Sequence, residues 1–373
     1  MLVDSRMKQN YRYSAGPSGL TNQPSPHPHS RLHWQSDSTR NLNTAKTTTR
    51  AEFGHDTKAA EVAEAFASQI KGRIVAITGV ARTGLGGATA VAFAKHDPEL
   101  LLLISRTQSK LDEVIADIKA VKPNANVKSV LVDLTSQASV RHAAEEINTL
   151  APRLDILINN AGFWVFARSL SPEGIESQFA GNHIGLFLLT NLLTDRLLAA
   201  AKKSTPGATR VINLSSEGHR VSPVRFHDYN LEGKPVPEEE SSVFPPLWPD
   251  ELVKPGADGY AGMVAYGQSK TANILFSVEL NRRLGGQGVV SYAVHPGMIG
   301  TDLSRNMDPK TMAATGALLS QYKPKASIEE GASTTMVAAI DPALSELKGI
   351  YLSDCHLIDA APHATDANSA KKL

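Results

Sequence analysis

From Ala59 onward the chain alternates short, continuous apolar runs with stretches of helical periodicity, and this alternation constrains the fold more than any other feature. Arg73–Thr78, Leu100–Ser105, Val127–Val132, Leu154–Asn159, Thr209–Leu214 and Val289–His295 read as strands. Continuous apolar runs of this length, with no polar alternation, belong to strands buried on both faces of a parallel sheet. Helices are predicted between them at Gly86–Lys95, Lys110–Ala120, Ser136–Leu150, Pro172–Lys202 (one long or broken helix) and Val264–Leu284, with a lead-in helix at Ala59–Ile70. Strand–helix alternation of this kind predicts one α/β domain over 59–373, a doubly wound parallel sheet with helices on both faces.

The residues before this domain are different. Over 1–58 the chain is polar, with Pro24, Pro26 and Pro28 close together and no apolar periodicity, so a disordered tail is predicted there. Its basic, acid-poor composition also resembles a mitochondrial transit peptide, but it lacks an Arg-rich amphipathic helix and the apolar core of a secretory signal. The ending Lys371–Lys372–Leu373 matches a peroxisomal address only loosely. A cytoplasmic location is the expectation. Inside the domain, 225–262 interrupts the alternation. It carries the run Glu238–Glu240, read as a solvated face, and the apolar patch Phe244–Trp248, which an exposed loop would not need.

Composition excludes several function classes. With 38 Lys and Arg against 37 Asp and Glu, the formal charge is +1, so neither a nucleic-acid backbone nor an anionic membrane is expected as partner. No run of 18 apolar residues marks a membrane span. The single cysteine, Cys355, excludes an internal disulfide and a thiolate zinc site, and reads as an idle buried thiol. No cluster of His, Asp and Glu stands at metal-binding spacing; His219 and His295 read as structural histidines.

Two groups of residues carry chemistry. The first strand runs into Thr78–Gly79–Val80–Ala81–Arg82–Thr83–Gly84–Leu85–Gly86, and a helix follows at once. Glycines between a strand and a helix N-terminus let backbone N–H groups approach a dinucleotide pyrophosphate, which makes this a Rossmann-type nucleotide end. The second strand ends at Ser105–Arg106. An acidic residue there would suit a free ribose hydroxyl, and an arginine suits a 2′-phosphate, so NADP(H) is favoured over NAD(H), with Arg82 as a second cation. Asp133 and Asn159–Asn160–Ala161–Gly162 close the next two strands, at the edge where such sheets bind ligands. In the second group, Tyr266 and Lys270 stand four apart on a predicted helix and so share a face. A neighbouring ammonium favours the phenolate, which would lower the tyrosine's pKa. Ser216 follows the strand that ends at Leu214, with a hydroxyl able to hold a substrate oxygen. Asn182, mid-helix, is either a surface amide or part of a functional kink.

Taken together these residues resemble the short-chain dehydrogenase/reductase superfamily, in particular its retinol-dehydrogenase-like branch as found in fungi. Thr78–Gly86 resembles the TGxxxGxG loop and Asn159–Gly162 the NNAG motif. Asn182–Thr190 resembles NHxGxFLLT, and Asn213–Ser216 with His219 resembles NxSSxxH. Tyr266–Asn273 resembles YxxSKxAN, and His295–Gly297 with Thr301 resembles HPGxxxT. The resemblance implies that Tyr266 is the general acid for reduction and base for oxidation. Lys270 would lower its pKa and bind the nicotinamide ribose, and Ser216 would orient the substrate oxygen. Asn182 would hold a water linking Lys270 to solvent, and Pro296, Gly297 and Thr301 would contact the nicotinamide end. The cofactor set is then Gly79, Arg82, Gly84, Leu85, Gly86, Arg106, Asp133, Asn160, Ala161, Gly162, Tyr266, Lys270, Pro296, Gly297 and Thr301.

The implied activity is hydride transfer between NADP(H) and a carbonyl or alcohol of an apolar small molecule, with secondary metabolism as one setting. Homo-oligomers are expected through the long helices. A catalytically idle NADP-binding regulator is the alternative; a nucleotide-sugar epimerase or dehydratase fits less, because its usual GxxGxxG loop and larger C-terminal domain are missing. The chain departs from the branch pattern in three places, one of them its ending at Lys372–Leu373, sooner than the branch pattern leads one to expect. Four residues, not three, separate Gly79 from Gly84, and the interval from Ser216 to Tyr266 is long. Phe244, Leu247 and Trp248 in that interval are expected to form an apolar lid.

Overall fold

The computed structural model describes residues 48–246, 248–301, 303 and 307–373. The predicted tail therefore lies outside the described residues, except for its last part from Thr48, and so does Leu247. Eight strands form one sheet: β1 (Ile74–Thr78), β2 (Leu100–Ser105), β3 (Val127–Leu131), β4 (Ile156–Asn159), β5 (Thr209–Leu214), β6 (Val289–His295), β7 (Tyr351–Ser353) and β8 (His356–Ile358). Their spatial order is β3-β2-β1-β4-β5-β6-β7-β8. The first seven run parallel, and β8 folds back antiparallel on β7 through the left-handed residues Asp354 and Cys355. This antiparallel edge hairpin is absent from the sequence reading of a wholly parallel sheet.

Alternate residues of each strand enter two different cores. Val75, Ile77, Leu101 and Leu103 pack with Val62, Phe93 and Met336 on one face. Ile74, Ala76, Leu102 and Ile104 pack with Val140, Ile147, Leu189 and Phe276 on the other. Each fully buried Leu, Ile or Val here contributes roughly 1.5–3 kcal/mol. Both faces are covered, which is why the strands read as unbroken apolar runs.

The helices depart from expectation where caps or contacts intervene. The lead-in helix breaks at Phe66 into Ala59–Ala65 and Ala67–Ile70. The helix expected from Pro172 begins instead at Ser177, because the Glu176 carboxylate accepts from the N–H groups of Gln178 (2.8 Å) and Phe179 (2.7 Å). That helix contains a π turn at Ala180–Ile184, continues as Gly185–Leu192, and bends by 56° into Thr194–Ala201. The helix Gly262–Leu284 runs through the middle of the molecule with most of its residues buried. Ala370 packs on its Ala272 and Leu275, so part of its outer face is covered by the chain itself. Among the described residues no single helix is long and apolar enough to cross a membrane.

Candidate active site

The strand order reverses direction between β1 and β4, and the carboxyl ends of β1, β4, β5 and β6 meet there. The Asn160 amide donates to the carbonyls of Thr78 (2.7 Å) and Gly79 (3.2 Å), and the Ala161 N–H donates to the Thr78 hydroxyl (3.1 Å). Gly79 needs to be glycine twice over: its φ is +71°, and a Cβ would lie 2.6 Å from the Ala161 backbone. Gly84 is different. A Cβ there would meet nothing closer than 3.5 Å, so packing does not require this glycine. It is the N-cap of the helix Leu85–Ala94, with no side chain capping it. The N–H groups of Leu85 and Gly86 have no acceptor among the described residues. Unspent donors at a helix start beside an open glycine fit an approaching phosphate.

The two arginines behave differently. The Arg82 guanidinium is held in a two-point contact with the Asp117 carboxylate, both bonds 2.7 Å, and reaches the Glu113 carbonyl as well. Its charge thus faces the helix Gln108–Val121 through an exposed ion pair. Arg106, past the end of β2, is exposed and makes no ion pair among the described residues. At the end of β3, one Asp133 oxygen accepts from the N–H and hydroxyl of Thr135 (3.0 and 2.7 Å).

Tyr266 and Lys270 lie on one face of the Gly262–Leu284 helix, with the ammonium 5.4 Å from the phenol ring centre. Both are buried. The Ser216 side chain faces the Tyr266 phenol closely enough to act against the upward shift of its pKa. Ser216 is in turn fixed by the N–H of Gly218, which donates to its Oγ at 3.1 Å. The turn can lie against Tyr266 because residue 218 has no side chain: a Cβ there would stand 3.0 Å from Cδ1 and Cε1 of the ring.

Lys270 Nζ donates to the Leu214 carbonyl at 3.2 Å, which leaves two of its donors without a protein partner among the described residues. Gly162 brings backbone beside it, since a Cβ at that position would lie 3.1 Å from Nζ. Burial lowers the Lys270 ammonium to about 8. Burial also pushes the Tyr266 phenol up to about 12, with the Ser216 side chain opposing. The sequence argument expected the ammonium to lower the phenol. Desolvation instead dominates, because burial penalises the phenolate directly.

Asn182 sits inside the π turn and is fully buried, so it belongs to a kink and not to a helix surface. Its amide is committed at both ends to Phe163, accepting from the N–H and donating to the carbonyl, each at 2.9 Å. It also donates to the Ser269 hydroxyl, while its main-chain carbonyl accepts from Asn273 (3.1 Å). The side chain thus fastens the segment after β4. Pro296, Gly297 and Thr301 follow β6 and are partly buried; Gly297 has φ +86°, and a Cβ there would strike Lys325.

Several contributors were not visible in the sequence reading. Trp164 stacks on the Tyr266 ring (centroids 5.3 Å, 29° between planes) and tilts against Phe166 at the same distance. Gln178 clasps Val165 through its N–H and carbonyl and also donates to the Tyr260 hydroxyl (2.8 Å), which donates to buried Glu176 (2.8 Å). Three aromatic residues within Phe163–Phe166, directly after NNAG, were the only available signal. In the long interval, Phe244 packs against the cluster of Leu231, Tyr260 and Val264, with the Trp248 ring 6.0 Å away. Glu240 is not on a solvated face: it is buried and accepts from His227 (3.1 and 2.8 Å), whereas Glu238 and Glu239 are exposed.

A short chain dehydrogenase family model matches residues 60–230. Retinol dehydrogenase 12 of Mus musculus is 35% identical over 305 residues, covering 82% of this chain and 85% of that protein. Oxidoreductase fscI of Fusarium equiseti is 37% identical, covering 66% of this chain and 94% of its own. Among solved structures, the RhlG/NADP active-site complex of Pseudomonas aeruginosa superposes with a TM-score of 0.55 at 23% identity, covering 76% of this chain and 94% of RhlG, a likeness of fold. The chain belongs to the short-chain dehydrogenase/reductase superfamily, as a retinol-dehydrogenase-like member. It is thus an oxidoreductase of the dehydrogenase/reductase kind.

Proposed function

We propose that the protein is an NADP(H)-dependent dehydrogenase/reductase that interconverts a carbonyl and an alcohol on an apolar small molecule. The observation that carries this reading is the Ser216–Tyr266–Lys270 arrangement, a phenol beside a serine hydroxyl fixed by Gly218, with a buried ammonium on the same helix face. The unspent donors at Leu85 and Gly86, and the two of Lys270, fit a dinucleotide's pyrophosphate and ribose. When bound, the nicotinamide supplies or accepts the hydride.

The chain's own residues handle the oxygen and its proton. Ser216 Oγ and the Tyr266 hydroxyl bracket one oxygen position. Tyr266, a neutral phenol at ordinary pH, donates its proton to a carbonyl oxygen as that oxygen gains charge. The Lys270 ammonium stabilises the phenolate left behind, an effect strongest in a site closed to water. Asn182 holds the Phe163–Phe166 segment, and with it Trp164, over the phenol.

NADP(H) in preference to NAD(H) rests on Arg106, which is exposed at the end of β2 and makes no ion pair among the described residues. An apolar substrate is supported by Trp164 and Phe166 beside Tyr266, by Phe244 and Trp248, and by relatives named for retinol. Replacing Tyr266 by Phe is expected to abolish carbonyl reduction while NADPH affinity stays within about twofold. Turnover surviving that substitution would overturn the reading. Trp248→Ala tests the lid: the ratio of activities on bulky and small ketones is expected to change, and an unchanged ratio removes it.

A further inference from the structure

His219 lies three residues past Ser216, in the motif that the family resemblance singles out but gives no role. Its imidazole is fully buried and makes two hydrogen bonds of opposite sense. The Ala361 N–H donates to Nε2 at 3.0 Å. A backbone N–H can only donate, so Nε2 carries the lone pair and Nδ1 carries the hydrogen. Nδ1 therefore donates to the carbonyl of Ser216, at 2.7 Å. Burial holds the ring well below the usual histidine range, at about 3, so it keeps this neutral form throughout.

Other bonds join the same two segments. The His363 ring is 2.8 Å from the His219 carbonyl, which also accepts from the Thr271 hydroxyl (2.9 Å) on the Tyr266 helix. Arg220 donates to the Asp359 carbonyl at 2.8 Å. The ring itself packs edge-on against Tyr351 of β7 (4.9 Å). Ser216 is thus held at both ends: Gly218 fixes its Oγ, and His219 fixes its carbonyl.

We propose that His219 is a positioning residue for the reaction, whose Nδ1–H sets the direction of the Ser216 hydroxyl while its Nε2 anchors the segment Asp359–His363. The inference rests on the dehydrogenase reading above. Two amide substitutions separate the two jobs. In His219→Asn the amide nitrogen takes the place of Nδ1, so the bond to Ser216 is kept and the one to Ala361 is lost. In His219→Gln the amide oxygen reaches the place of Nε2, so the bond to Ala361 is kept and the side-chain bond to Ser216 is lost, leaving that carbonyl only the main-chain N–H of residue 219 at 3.0 Å.

The experiment measures kcat, KM and melting temperature with NADPH and a ketone substrate of the wild type, with kcat expressed per cofactor-binding site. His219→Gln is expected to lower kcat about tenfold, with KM and NADPH affinity within twofold. His219→Asn is expected to keep kcat within about threefold and to lower the melting temperature. Equal kcat in the two variants, or wild-type kcat in His219→Gln, overturns the proposal. If His219→Gln does not fold, His219→Asn still decides, because a tenfold loss of kcat despite the retained donor overturns it. A wild type inactive on every carbonyl and alcohol tried overturns this inference together with the reading it rests on, whereas an active wild type with unaffected variants overturns this inference alone.

Discussion

Replacing Gly218 by Ala tests the geometry of the site through a single methyl group. The added Cβ would stand 3.0 Å from Cδ1 and Cε1 of Tyr266 and 3.5 Å from the Met263 methyl. Comfortable carbon–carbon contact begins near 3.5 Å, so the phenol ring or the turn has to give by about 0.5 Å. Residue 218 is not in a left-handed conformation, so no backbone strain is added. Trp164, stacked on the same ring, resists the displacement. A misplacement of about 1 Å at a reacting group costs roughly a hundredfold, so half of that is worth about tenfold in kcat. Overpacking of this size costs about 1–3 kcal/mol of stability, which a domain of ordinary stability survives. The assay compares kcat for ketone reduction, NADPH affinity by fluorescence quenching and the melting temperature. Gly285→Ala serves as the control, since a Cβ there meets nothing within 4 Å, and it should leave kcat unchanged. A Gly218→Ala protein that folds, binds NADPH and turns over within twofold of wild type would refute the argument that the turn sets the phenol.

Three further outcomes are expected. Arg106→Asp should move cofactor preference toward NAD(H), raising the KM for NADPH at least tenfold while leaving kcat with NADH near wild type; an unchanged KM ratio would show that Arg106 does not meet the 2′-phosphate. The pH profile follows from two opposite displacements: Lys270 is lowered to about 8 and Tyr266 raised to about 12, so below pH 8 the ammonium is charged and the phenol protonated. Reduction, measured as kcat/KM, should then be level below about pH 8 and fall above it as the ammonium that stabilises the phenolate is lost, while oxidation, which needs the Tyr266 proton removed, should climb with pH up to about 8; a reduction rate that rises above pH 8 would contradict this assignment. Trp164→Ala removes the ring over Tyr266 and should raise the KM for planar, apolar ketones several-fold more than for acetone-sized ones, which steady-state kinetics on the two classes would show.

The parts of the fold that were legible in sequence are those whose burial is uniform. β2, β5 and β6 fall on the residues predicted because both faces of each are covered and each reads as one apolar run. β7 and β8 are three residues each, too short for any periodicity. The helix Ile328–Ile340 also escaped prediction, since nearly all its residues from Glu330 onward are buried and no polar face marks it. In the site, Tyr266 and Lys270 were legible because a spacing of four fixes a shared helix face. The direction of the phenol's shift was not, because burial is a property of the assembled protein. Trp164, Gln178 and Gly218 were invisible for the same reason: each acts on a residue tens of positions away, through packing or hydrogen bonds that no local pattern records.

The bonds from His219 to Ala361 and from Arg220 to Asp359 span about 140 positions of chain. During synthesis the strands β1 to β6 emerge well before Asp359, so a growing chain can wrap a nucleotide cradle before its catalytic turn has anything to lean on. The turn after β5 therefore reaches its final setting only once a stretch made about 140 residues later has docked against it.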